Sequence, residues 1–123
     1  MRLTLLITLV SFMLCGCSVN NVVKSITPQE VKEKMGDNAD IILLDVRTQE
    51  EYDQGHIPGS ILLPLDKLES QIENVIPNKN AEIIIYCRSG NRSAKAADLL
   101  EQLGYKDISD LGGIIDWPYD IIL

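Results

Sequence analysis

Ile83-Ile84-Ile85-Tyr86-Cys87-Arg88-Ser89-Gly90-Asn91-Arg92-Ser93 is the stretch on which the architecture turns. Four apolar residues in succession read as a strand buried on both faces, because a strand with one solvated face would alternate. Over residues 93–103 the apolar positions Ala94, Ala97, Leu99, Leu100 and Leu103 read as a helix, which Gly104 terminates. A buried strand running into a helix is one step of a parallel sheet. Ligands of such sheets lie beyond the C-terminal strand ends, so residues 87–93 sit where binding is expected.

The same alternation continues on both sides. Residues 41–46 form a second apolar run, broken only by Asp45 at its C-terminal end. Thr48, with Glu51 three residues on, opens a short charged helix. Upstream, Thr27, Pro28 and Glu30 open another that runs to Met35 and stops at Gly36. Gly55-His56-Ile57-Pro58-Gly59 is a turn, and residues 60–63 make a short strand ending at Pro64. Leu65, Leu68, Ile72 and Val75 or Ile76 recur at helical spacing up to Pro77-Asn78. Residues 106–111 supply a last strand, and Gly112-Gly113 opens a final segment through Trp117-Pro118. Strand and helix in alternation predict an α/β fold: a mainly parallel sheet, helices on both faces, right-handed crossovers.

Composition narrows the function. The 123 residues carry 11 Lys plus Arg against 18 Asp plus Glu, a formal charge of -7, which argues against nucleic acid as a partner. Hydrophobic residues make up 46%, enough for one packed domain. Three cysteines exclude a complete disulfide framework. One His and scattered carboxylates form no ligand cluster of recognised spacing, so neither a metal nor another cofactor is expected.

The N-terminus reads separately. Met1-Arg2 precedes an uncharged stretch over residues 3–14, too short to span a bilayer and with only Thr4, Thr8 and Ser11 as polar positions. Leu14-Cys15-Gly16-Cys17 resembles the bacterial lipobox. The resemblance implies that residues 1–16 are a removed lipoprotein signal peptide and that Cys17 becomes a lipidated N-terminus. The protein would then be exported and held at a membrane of the cell envelope, since several acyl chains exceed what stable anchoring needs. Residues 17–25 read as the lipidated end and its tether, leaving 26–123 as the folded domain.

Within residues 87–93 the amides can converge as an anion nest at a helix N-terminus. Gly90 and Asn91 tolerate the left-handed angles of a tight curl. Arg88 and Arg92 bring positive charge to the domain's lone cysteine, and these surroundings predict a lowered thiol pKa and a nucleophilic Cys87. An inert cysteine at a strand end would leave two arginines and this loop without evident use.

These residues resemble the rhodanese-like domain family. The pieces are Leu44-Asp45-Val46-Arg47, Glu51-Tyr52, Gly55-His56-Ile57-Pro58-Gly59-Ser60, the loop from Cys87 to Ser93, and Leu111-Gly112-Gly113 with Trp117. The resemblance implies a five-stranded sheet and a sulfurtransferase. Cys87 would take sulfane sulfur from thiosulfate or a persulfide and pass it to a thiol or cyanide. Arg88, Ser89, Gly90, Asn91, Arg92 and Ser93 would bind the substrate. Asp45, Arg47 and His56 would support the site structurally, because a thiolate nucleophile does not obviously need a general base.

Three rivals stay open on sequence. A Cys-dependent phosphatase or arsenate reductase on this scaffold resembles the chain, but such relatives keep five residues between Cys and Arg, against four between Cys87 and Arg92. A binding or regulatory module without turnover would usually lack the cysteine. A thiol-disulfide enzyme needs a resolving cysteine, which the domain does not carry. A small tethered domain could act as a monomer.

Overall fold

A computed structural model describes residues 22–38 and 40–123. The signal-peptide and lipidation readings at residues 1–16 and Cys17 lie outside the described residues.

Five parallel strands form one sheet in the order β1-β5-β4-β2-β3, with β1 at Val23–Ser25, β2 at Ile42–Asp45, β3 at Ser60–Leu62, β4 at Glu82–Cys87 and β5 at Asp107–Gly113. Four helices connect them: α1 at Pro28–Asp37, α2 at Gln49–Asp53, α3 at Leu65–Val75 and α4 at Asn91–Gln102. The chain ends in a single 3-10 turn, Ile114–Asp116, and an extended tail.

The apolar runs are buried on both faces, as their lack of alternation predicts. Leu44, Ile83, Ile85 and Ile108 pack with Leu68 and Ile72 of α3 and Ala97 and Leu100 of α4. Leu43, Ile84 and Tyr86 pack on the opposite face with Val31 of α1 and with Ile57. Successive residues of a strand point to opposite faces, so β2 and β4 each feed two cores. Of the two candidates at the end of α3, Ile76 is buried and Val75 is exposed.

Several boundaries differ from expectation, among them β5, which runs on through Gly112-Gly113 where the sequence placed the start of the final segment. The segment read as a tether already contains β1, which pairs with β5 through Val23↔Ile108 and Ser25↔Asp110, so the folded unit begins no later than Val23. The first helix passes through Gly36 to Asp37, its end closed by the Asn38 amide donating to Lys34 O. One extra backbone bond outweighs the modest helix cost of a glycine. The fourth helix starts at Asn91, two residues early, capped at Gly90 with φ +105°. Asn91, Arg92 and Ser93 therefore stand in its first turn, which concentrates their free amides at the Cys87 end.

Strand order fixes where a ligand would sit. The chain leaves β4 toward β5 and leaves β2 toward β3. Connections diverging from two adjacent strands open a crevice beyond their C-terminal ends. Those ends carry Cys87 and Asp45.

Candidate active site

Cys87 is the last residue of β4 and only 1% exposed. The Gly90 amide donates to its Sγ at 3.0 Å. Burial pushes the thiol pKa up, but the amides of Ser93, Gly90 and Arg92 and the Ser93 hydroxyl outweigh it, leaving the pKa below the ordinary 9.0. In this conformation the Ser93 hydroxyl donates to Gly90 O at 3.1 Å, which steadies the curl as well. The loop amides thus face the sulfur, with that of Gly90 in hydrogen-bond contact. The main pull on the thiol comes from backbone amides and Ser93; the sequence reading divides it between the helix N-terminus and the two arginines.

The arginines take different parts. Arg92 is held by Glu51 through a two-pronged bond, Nη1 to Oε1 at 2.6 Å and Nη2 to Oε2 at 2.9 Å. Arg88 is exposed and lines an open cleft of about 610 Å³. Ser89 and Asn91 are also exposed. Arg47, Glu51, Gln54 and Gly55 line the same cleft, as do Ile114, Ile115, Trp117, Tyr119 and Ile121 of the C-terminal segment.

Glu51 has two tasks. It completes a capping box with Thr48, whose hydroxyl receives the Glu51 amide at 3.2 Å, and it fastens α2 to α4 through Arg92. The Arg92 bond first, with help from Thr48, lowers its pKa from 4.5 to about 2 despite some burial. The stabilisation is therefore fully present above pH about 4.5 and is lost as pH falls through about 2. A pair this exposed is screened, so the contribution is about 1 kcal/mol. Urea titrations at pH about 6 and about 2.5 should show the wild type losing that margin more than Glu51→Gln does; equal losses would contradict the assignment.

Asp45 and Arg47 form a buried ion pair at the end of β2. Arg47 Nη2 donates to Asp45 Oδ2 at 2.7 Å and to Gly55 O at 2.7 Å, and the Arg47 amide donates to Asp45 Oδ1 at 2.9 Å. The pair ties β2 to the turn after α2. His56 lies in that turn. Its ring stacks on Tyr52 at 3.7 Å and its Nδ1 sits 2.9 Å from Tyr52 O, while its backbone bridges Ile122. Tyr86 completes the anchoring, its hydroxyl donating to Ser60 Oγ at 3.0 Å and accepting from the Ile57 amide at 3.1 Å.

Gly113 escaped sequence reasoning as a site residue. Leu111 is an extra residue in β5, so the register shifts and Cys87 comes to pair with Gly113. Bulges of this kind commonly re-aim a strand beside a site. A Cβ on Gly113 would lie 2.3 Å from Arg88 O and 2.8 Å from Ser89 Cα, so the loop backbone rests directly on this glycine. The Gly112-Gly113 doublet was visible, but nothing in it tells which segment lies above.

The model of the rhodanese-like domain matches residues 27–118. The chain belongs to the rhodanese-like family. It is 36% identical over 97 residues to a sulfurtransferase of Allochromatium vinosum, covering 78% of this chain and 89% of that one. It is also 36% identical over 73 residues to the thiosulfate sulfurtransferase PspE of Escherichia coli, covering 59% of this chain and 70% of that one. Among solved structures, the protein SSP1007 of Staphylococcus saprophyticus superposes with a TM-score of 0.72 at 33% identity, over 81% of this chain and 99% of that one. A rhodanese from E. coli with anions superposes with a TM-score of 0.63 at 32% identity, over 67% and 96%. The rhodanese-like chain thus has sulfurtransferases among its relatives, and its fold is theirs.

Among the described residues no helix is long and apolar enough to cross a membrane, and no group of His, Cys, Asp and Glu could hold a metal ion.

Proposed function

We propose that the protein is a sulfurtransferase that works through a persulfide on Cys87. The Cys87 thiolate attacks the outer sulfur of thiosulfate; the new S–S bond forms as the old one breaks, and sulfite leaves with the electron pair. An acceptor thiol or cyanide then takes the outer sulfur and returns Cys87 as thiolate. The observation that carries this reading is the Gly90 amide at 3.0 Å from Sγ, within a nest that lowers the thiol pKa. The same donors can hold the charge of a persulfide, without reorganisation at the moment of reaction. Burial of Cys87 favours a slim terminal sulfur over a bulky oxyanion. The four residues between Cys87 and Arg92, against five in the phosphatase relatives, support sulfur transfer over the phosphatase reading.

In a single turnover with excess thiosulfate and no acceptor, the protein should release one sulfite per chain and then stop. Hydrolysis of an aryl phosphate faster than thiosulfate is consumed would reverse the choice.

We further propose that Cys17 carries lipid and holds the protein at the cell-envelope membrane. Metabolic labelling with a fatty acid should mark the wild type and leave Cys17→Ser unlabelled; a labelled variant would overturn it.

A further inference from the structure

Residues 119–123 lie beyond the family match, which ends at 118, yet they help to build the cleft beside the Cys87 loop. Tyr119 and Ile121 line it, and Ile122 is fastened to His56 by two backbone bonds of 2.9 and 2.8 Å. Ile121 also packs on Gly55, where its Cδ1 stands 3.0 Å from the place a Cβ would take. Six large apolar side chains are exposed among the described residues, and four of them, Ile115, Ile121, Ile122 and Leu123, belong to this C-terminal segment. Isolated exposed apolar residues are ordinary, but two of these, Ile115 and Ile121, line the cleft together with Ile114 and Trp117, and apolar side chains grouped in one cleft mark a binding surface.

We propose that this segment selects the sulfur acceptor, and that the acceptor is a low-molecular-weight thiol with an uncharged, apolar body. The inference rests on the sulfurtransferase reading. A volume of about 610 Å³ lies in the range of small-molecule sites. The thiolate head meets the exposed Arg88 while the body rests on Ile115, Trp117 and Ile121. Cyanide has no body to use this wall. In the transfer, a bond forms between the acceptor sulfur and the outer sulfur of the Cys87 persulfide. The bond to Cys87 Sγ breaks, its electron pair stays on Cys87, and the acceptor leaves as a persulfide.

The test compares phenylmethanethiol with 2-mercaptoethanol as acceptors, and adds a readout independent of turnover. The wild type should prefer phenylmethanethiol in kcat/KM by roughly tenfold or more, and Ile121→Ser or Ile115→Ser should each erase most of that ratio. Trp117 is the chain's single tryptophan and lines the cleft, so its fluorescence reports occupancy. Benzyl methyl sulfide, which cannot accept sulfur, should give a saturable change that weakens roughly tenfold in both variants. No preference in the wild type, or no saturable signal, overturns the proposal. A signal that neither substitution alters also overturns it, placing the ligand in the smaller pocket against Val31 and Met35 on which Trp117 also borders. If Cys87 takes up no sulfur the underlying reading fails, and the fluorescence titration still decides whether the wall binds such a molecule.

Discussion

Asp45→Asn should lower the stability of the fold by about 3–5 kcal/mol, the usual cost of stranding one member of a buried ion pair. The substitution keeps the shape of the side chain and removes only its charge. Asp45 is fully buried and Arg47 only 5% exposed, so the guanidinium left behind has little water to turn to. Its bond to Gly55 O remains, but a carbonyl dipole does not replace a carboxylate. Urea unfolding should show a lower midpoint at unchanged slope. The double variant Asp45→Leu with Arg47→Met should lose less than the single one, because the cost lies in the orphaned charge more than in the missing bond. A single variant as stable as the wild type would show that water reaches the pair.

Gly113→Ala should reduce sulfur transfer by about 100-fold, the scale on which a misplacement of about 1 Å acts. Its φ of -108° is ordinary, so the obstacle is space alone. The new methyl would meet Arg88 O and the Ser89 Cα, both backbone atoms that no rotamer change can move aside. Either β5 or the 88–90 loop must shift, and the amides that stabilise Cys87 sulfur shift with the loop. Overpacking of this kind costs about 1–3 kcal/mol, so the variant should still fold at moderate temperature. Activity within a factor of a few of the wild type would mean that the loop's resting position is not what the chemistry depends on.

The sheet was legible where the sequence left no alternative. Ile83 to Ile85 and Leu43-Leu44 lack a polar alternate, which only two-sided burial explains, and the Thr27 and Thr48 caps mark the starts of α1 and α2. Strand β1 was not legible: three residues at a sheet edge, two of them exposed, carry no pattern that separates them from a tether. The cysteine and its loop could be read because nucleophile, glycine and helix start are neighbours in sequence. Arg92 could not be paired from sequence, since Glu51 stands 41 positions away and offers the same charge as many other carboxylates. Gly113 needed the β5 bulge, which depends on how two strands pair and not on either strand alone.

The central claim is that Cys87 carries the transferred sulfur. Intact-mass measurement after incubating the purified protein with thiosulfate tests it most directly. The wild type should gain the mass of one sulfur atom, lose it on addition of an acceptor thiol, and show no gain as Cys87→Ser. An equal gain in Cys87→Ser, or none in the wild type with any sulfane donor, would contradict the account.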